Sequence, residues 1–260
     1  MKDILMVAFP IPVMSFPMKT KEISFHGKKF SIAYTEDYPQ HPSWWMFEDE
    51  ATVRNSLWNV TDNDCVFDVG SACGSYALPA LACGASKVYA WSPQDQSGLS
   101  TSGQKSNGIA DKDYLSHSLK LNGWSDRCDI YPTGIYDQKG WLDTVTQQFS
   151  MDKPNSPDSI LVDTLDNWYT SIFLDSHRPK SFGRYWLKID VEGAEVHVLA
   201  GAKRLISELR PNILVENHLF KDGNIEQKVR DHVGTFGSYR EVSTTQYHSV
   251  SHSLYTFVNY

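Results

Sequence analysis

The fold of this chain is decided by Cys65-Val66-Phe67-Asp68-Val69-Gly70-Ser71-Ala72-Cys73-Gly74-Ser75-Tyr76. The run Val66 to Val69 is short and apolar, which reads as a buried strand, and Tyr76 to Cys83 reads as a helix. Between them, Gly70 lets the backbone turn tightly and a ligand approach with no Cβ in the way. Gly74 lets the helix start close to the sheet. The spacing is G-x-x-x-G, unlike the G-x-G-x-x-G with which dinucleotide binders seat a pyrophosphate on a helix N-terminus. The turn therefore suits a ligand without pyrophosphate, and Asp68, Gly70, Ser71, Ala72, Gly74, Ser75 and Tyr76 are its candidate contacts. A tight turn of this kind also occurs in unrelated α/β proteins, so the neighbouring segments carry the decision.

Outward from this turn, short apolar runs alternate with longer amphipathic stretches. The runs are Lys87 to Trp91, Asp129 to Ile135, Trp186 to Val191, Asn212 to Val215 and Leu254 to Val258. Such alternation predicts βαβ units and a parallel sheet covered on both faces. Ala194 to Leu209 carries Ala194, Val198, Ala202, Leu205, Ile206 and Leu209 on one stripe, which predicts a helix stopped by Pro211. Another helix is expected from Gly223 to about Phe236. Strands over Tyr239–Tyr247 and His252–Asn259, with a turn at Ser249–Ser251, predict a final antiparallel pair. Residues 1–60 read as a leader with a helix over Glu48 to Val60 packing on the domain, and residues 61–260 as that domain. Gln94 to Lys112, polar and holding three glycines, reads as a mobile insertion. Gln147 to Ser159, with Pro154 and Pro157, reads as a connecting loop.

Many adenosine-binding α/β proteins end their second strand in an acidic residue that accepts from the ribose hydroxyls. Here that strand runs into Ser92-Pro93-Gln94-Asp95, with Ser92 at the expected acidic position. Ser92, Pro93 and Gln94 are candidate cofactor contacts, as is Gly134 in a later run. Trp44, Trp45 and Trp91 are either core residues or stacking surfaces.

The chain has 260 residues, 41% hydrophobic and 21% charged, within the range of ordinary globular domains. A net charge of −7 argues against a general nucleic-acid binder, whose affinity comes from neutralising phosphates. Cys65, Cys73, Cys83 and Cys128 form no CxxC pair, so no zinc-finger spacing exists and reduced thiols are expected. The apolar stretch Ile4 to Val13 is interrupted by Pro10 and Pro12 and preceded by Asp3, unlike a signal peptide. The expectation is a cytoplasmic protein without membrane association and of undetermined oligomeric state.

Trp186-Leu187-Lys188-Ile189-Asp190-Val191-Glu192-Gly193-Ala194-Glu195, followed by Val198-Leu199-Ala200-Gly201-Ala202, resembles the signature of the FkbM family of methyltransferases. Arg210-Pro211-Asn212-Ile213-Leu214-Val215-Glu216-Asn217-His218 continues the likeness. Leu121-Asn122-Gly123 and Asp163-Thr164-Leu165-Asp166 stand where that family has comparable short motifs. The similarity runs from about Glu48 to the C-terminus. It implies a Rossmann-like class I methyltransferase fold, with a mostly parallel seven-stranded sheet and a C-terminal antiparallel hairpin. It also implies S-adenosylmethionine as methyl donor and O-methylation, commonly of a sugar hydroxyl or natural product. Asp68 then becomes an acceptor, direct or through water, for the amino group of the donor. A peptide or RNA acceptor, or a cofactor-binding partner protein without activity, are the alternatives.

Methyl transfer to a hydroxyl requires alignment of donor and acceptor and removal of a proton. Asp190 and Glu192 end one strand, and Glu216 and His218 end the next, where ligands of open α/β sheets gather. His218 is the expected base, with Asp190 as alternative base or orienting group and Glu216 as its partner. Asp190 is also a candidate cofactor contact. A divalent cation held by Asp190, Glu216 and His218 is an alternative use of the same oxygen-rich set. Glu195 reads as a favourable charge in the first helical turn. His248 and His252, near the final hairpin, are placed at the edge of an acceptor pocket.

Overall fold

The computed structural model describes residues 18–36, 44–94, 111–174, 182–247 and 249–258. Near its start, Lys19–Phe25 (β1) and Lys28–Tyr34 (β2) pair as an antiparallel hairpin that the sequence reading does not anticipate. Ile23 and Phe25 face Phe30 and Ile32 in alternation, giving one apolar face that joins the core. The two-residue turn His26-Gly27 has both φ angles positive, at 46° and 72°, which matches the twist of a hairpin. The expected helix over Glu48–Val60 is instead two, Trp45–Asp49 (α1) and Ala51–Leu57 (α2), broken at Glu50.

The domain then runs through Cys65–Val69 (β3), Ala77–Ala82 (α3), Lys87–Trp91 (β4), Asp111–Asn122 (α4) and Cys128–Tyr131 (β5). Four short strands follow: Gly134–Ile135 (β6), Gly140–Asp143 (β7), Phe149–Ser150 (β8) and Ser159–Asp163 (β9). Leu165–Tyr169 (α5) continues into a π-helical turn over Thr170–Leu174. The chain completes itself with Tyr185–Ile189 (β10), Glu195–Ala200 (α6), Lys203–Leu209 (α7), Asn212–Asn217 (β11), Ile225–Gly234 (α8), Tyr239–Tyr247 (β12) and Val250–Phe257 (β13).

Seven strands form the main sheet in the order β12-β13-β11-β10-β3-β4-β5. It is parallel from β11 to β5, and β13 runs antiparallel to both β11 and β12. This is the expected architecture. Side chains alternate across it, so two cores form. Val66, Val88, Trp186 and Leu214 meet α3, α4 and the N-terminal hairpin on one face. Phe67, Trp91, Leu187 and Ile213 meet α6, α7 and α8 on the other. Chain direction across the sheet reverses between β3 and β10, the neighbouring pair from which the strands run outward both ways. Their carboxyl ends therefore flank a crevice of the kind that binds ligands in open α/β sheets.

Four expectations are corrected in detail. The run Asp129–Ile135 is not one strand, because Pro132 and Thr133 divert it from β5 in the main sheet to β6 in a separate sheet ordered β6-β9-β7-β8. The helix expected over Ala194–Leu209 divides into α6 and α7 at Gly201-Ala202. There the chain passes so close to Tyr136 that a Cβ on Gly201 would stand 2.1 Å from its carbonyl oxygen. The loop expected over Gln147–Ser159 contains β8, and its last residue opens β9. The turn of the final hairpin also comes earlier than Ser249–Ser251, since β13 already begins at Val250. The expected insertion Gln94–Lys112 lies outside the described residues, apart from Gln94 and the first two residues of α4, Asp111 and Lys112. No helix among the described residues is long and apolar enough to cross a membrane.

Candidate functional site

Gly70 stands at the crevice with φ +85°, and a Cβ there would lie 1.6 Å from the carbonyl oxygen of Asp190. Only glycine lets the end of β3 pass that close to the end of β10. The approach is locked by backbone bonds: Asp190 N–H donates to Val69 O at 2.9 Å, and the N–H groups of Gly70 and Ser71 both donate to Trp91 O at 2.9 Å. Ala72, at φ 44°, is a non-glycine residue held in the left-handed region, strain of the kind stored at binding sites. Gly74, at φ +94°, packs so tightly that a Cβ would meet Leu115 Cδ1 at 2.6 Å.

The turn also leaves buried polar atoms unsatisfied. Asp68 Oδ2 and Ser71 Oγ are buried without a hydrogen-bond partner among the described residues. Burial pushes the Asp68 carboxyl up to about 7, against the pull of Lys188. Unpaired buried groups cost free energy that a polar ligand recovers. A ligand with amino, carboxylate and hydroxyl groups fits this turn. Ser75 is buried beside it, and Tyr76 is fully enclosed with its ring under Lys188 Nζ at 4.5 Å. Ser92 is buried at the end of β4, its N–H donating to Tyr131 O at 3.0 Å, with Pro93 and Gln94 half-buried behind it. Asp95 lies outside the described residues. Gly134 sits in β6, where a Cβ would press Ile160 and Val162, so packing alone accounts for glycine there. Trp91 is core, stacked on Tyr131 and Phe67. Trp44 lies under the Lys21 ammonium at 3.3 Å, while Trp45 is an exposed residue.

A band of charge crosses the sheet on the face that carries α3. In register, Asp68 neighbours Lys188 and Glu216 neighbours His252. Alternation along β3, β10, β11 and β13 turns all four toward that face. Lys188 is fully buried, with Nζ 3.5 Å from Asp190 Oδ2 and 3.6 Å from Glu216 Oε2. Burial opposes its charge, but Asp190, Glu216, Glu50 and Asp68 together raise its pKa above the ordinary lysine value. His252 Nε2 meets Glu216 Oε2 at 3.0 Å, and burial pushes that imidazole down to about 4. It is neutral at pH 7, and its Nε2 shares a hydrogen bond with the Glu216 carboxyl. Glu50, at the break between α1 and α2, reaches the same band from the leader, and burial pushes its carboxyl up to about 7. Burial and the Asp190 charge push Glu216 to about 7 as well.

His218 closes the band at the end of β11. Its Nδ1 lies 2.6 Å from Glu195 Oε1, and its Nε2 lies 3.6 Å from Asp190, 3.7 Å from Glu192 and 3.6 Å from Glu216. Burial alone would push the imidazole down. The Glu195 hydrogen bond and the charges of Asp190, Glu192 and Glu195 overcome this and hold it at about 9. Asp190 is also penalised by burial, yet Lys188 and His218 keep its carboxyl below the usual range.

The fold thus brings Asp190, Glu216 and His218 together, with one ligand atom of each within 4.8 Å of the others. Glu192 stands beside them in a left-handed conformation, φ 57°, with its side chain 62% exposed. The same three residues have the spacing of a cation site. Lys188, however, already places a positive charge against two of them and would repel a metal there. From sequence, Glu195 is read as a helix-terminal charge and His252 as the edge of an acceptor pocket, whereas both are fully buried; Lys188 and Glu50 are given no role in the site. A lysine inside an otherwise apolar strand was the available signal for Lys188, since a buried charge requires a partner.

A model of the family described as "Methyltransferase FkbM domain" matches residues 68–242. Glu50 and the leader fall outside that match. No curated protein matches the chain. Among solved structures, the methyltransferase FkbM of Methylobacillus flagellatus is similar at a TM-score of 0.55 and 15% identity, over 78% of this chain and 46% of that one. A candidate SAM-dependent methyltransferase of Streptococcus mutans has a TM-score of 0.50 at 10% identity, over 91% and 55%. A further candidate methyltransferase, SMU.776, solved in complex with SAH, has 0.51 at 9%, over 91% and 56%. The chain spans about half the length of these solved relatives. At these identities the likeness establishes the class I methyltransferase fold.

Proposed function

The chain belongs to the FkbM methyltransferase family, whose methyl donor is S-adenosylmethionine, and from that premise we propose an O-methyltransferase acting on a sugar hydroxyl of a glycan or glycosylated small molecule. The observation that carries this reading is the convergence of Asp190, Glu216 and His218 within 4.8 Å, beside the Gly70 crevice. When bound, S-adenosylmethionine supplies an electrophilic methyl group on a sulfonium. Asp68 and Ser71, with their unsatisfied buried atoms, would hold its amino-acid end, and Ser92 with Gln94 its ribose.

What this chain supplies is alignment and proton handling. Asp190, with 24% of its side chain exposed, is the member of the trio that meets solvent most and orients the acceptor hydroxyl. An imidazole held at about 9 is a cation at neutral pH, so His218 stabilises the oxygen as negative charge develops on it. A carboxyl at about 7 is matched to accept a proton near neutrality, which assigns the base to Glu216 rather than to His218.

Two features favour a sugar. Phe220 is 56% exposed, with its ring 5.5 Å from that of His218, a surface on which the C–H face of a pyranose stacks. Glu192, its side chain 62% exposed beside Asp190, puts negative charge at the surface of the site, which disfavours the phosphates of RNA. The test is incubation with S-adenosylmethionine and a panel of glycosides, read as release of S-adenosylhomocysteine. Glycoside turnover that collapses in Asp190→Asn supports the proposal. Cofactor binding without glycoside turnover, or turnover on peptide or RNA alone, rejects it.

A further inference from the structure

Glu195 is the one carboxylate of the site with no exposure to solvent. Its Oε1 takes the Gly193 N–H at 2.9 Å and lies 2.6 Å from His218 Nδ1, while its Oε2 has no hydrogen-bond partner among the described residues. A carboxylate buried this deeply is costly unless a cation answers it. The imidazole of His218 is the group in place to do so. The positive φ angles of Glu192 and Gly193, 57° and 109°, turn the chain so that α6 begins with Glu195 aimed back under β11. A charge placed only to favour a helix terminus would be served as well in solvent.

We propose that Glu195 is a positioning residue: it takes the proton-bearing Nδ1 of His218, fixes the ring, and presents Nε2–H to the acceptor hydroxyl. The inference rests on the proposed methyl transfer for its purpose, and on the pair's geometry for its existence. The groups facing His218 come from every neighbouring element. Glu195 approaches from α6, Asp190 and Glu192 from the turn after β10, and Glu216 from β11. Lys188 sits between Asp190 and Glu216, His252 of β13 backs Glu216, and the Phe220 ring stands edge-on. Among the described residues only Glu195 is within hydrogen-bond distance, so it sets the orientation. Asp190, Glu192 and Glu216 act at ion-pair range and reinforce the charge.

The test is an NMR titration of the imidazole nitrogens in the full chain, with the His218 signals identified by their loss in His218→Gln. It needs neither cofactor nor acceptor. In the wild type, His218 is expected to titrate well above the ordinary histidine value and to keep its proton on Nδ1 when neutral. Glu195→Gln keeps an acceptor oxygen but removes the charge, so the tautomer persists while the midpoint falls by at least about one unit. Glu195→Met removes both, and the Nδ1–H preference is lost as well. Turnover on any acceptor found should follow, with the basic limb of its kcat profile moving down by the same interval in Glu195→Gln. Thermal unfolding confirms that the near-isosteric Gln variant is folded. An unchanged His218 midpoint in that folded variant overturns the proposal, whatever the Met variant does. A protein with no acceptor at all leaves the titration readable, so failure of the methyltransferase reading is distinguishable from failure of the pair.

Discussion

Replacing Lys188 by methionine removes the cation from the centre of the buried charge band while nearly preserving shape. Nζ stands 3.5 Å and 3.6 Å from the carboxylates of Asp190 and Glu216, in a side chain with no exposure. At an effective dielectric constant of about 20, each such pair attracts by about 4–5 kcal/mol before the cost of burying the ammonium is subtracted. Removing one partner from a buried ionic cluster costs about 3–5 kcal/mol, because the remaining charges lose their compensation. Methionine fills most of the space, so the cavity contribution is small. The deficit should also depend on pH, in a definite direction. Asp190 is held low chiefly by Lys188 against burial, and Glu216 already lies at about 7. Without the lysine both carboxyls rise. A group raised above its unfolded value gives stability that is present below the unfolded pKa and lost as pH rises through the folded one. The unfolded values are 3.8 and 4.5. The deficit of Lys188→Met is therefore smallest at mildly acidic pH and grows through neutrality. Urea unfolding of both proteins at about pH 5 and about pH 8 measures it. A deficit below about 1 kcal/mol at the higher pH, or one equal at both, refutes the reasoning.

Three further outcomes are expected. Gly70→Ala drives a methyl group into Asp190 O and forces a positive φ on alanine; overpacking of about 1–3 kcal/mol at the crevice should weaken S-adenosylmethionine binding about tenfold or more by calorimetry. Wild-type affinity in that variant would remove the turn from the cofactor site. Asp190→Asn should lower turnover about 10²-fold with cofactor affinity changed less than about threefold, and parallel losses in both would make Asp190 a binding residue instead. Because Lys188 supplies the positive charge, extensive dialysis against a chelator should leave turnover unchanged, and restoration by magnesium or manganese would show that the trio binds metal after all.

Much of the fold is legible because it depends on local signals. β3, β4, β10 and β11 are short apolar runs, and the Gly70 turn is marked by glycine spacing. The N-terminal hairpin is harder to read: its turn begins with His26, and its apolar face is only four residues wide. The division of the 194–209 helix is invisible locally, since Gly201 is small for the sake of Tyr136, more than sixty positions away. In the site, Asp190, Glu216 and His218 stand at strand ends and are found by that position. Glu195 is read as a helix-terminal charge because sequence cannot show that α6 starts beneath β11. Glu50 is missed because nothing in the leader indicates which face of the sheet it covers.

By itself the sequence determined the class of fold, the crevice glycine and the strand-end acids. These follow from periodicity and from residue types that only one backbone conformation tolerates. The tertiary structure decided which charges are shared. Strand register sets Asp68 beside Lys188 and Glu216 beside His252, and the packing of α6 sets Glu195 against His218. Proton affinities depend on distance and burial, so the roles of base, cation and positioning residue became assignable only once those neighbours were in place.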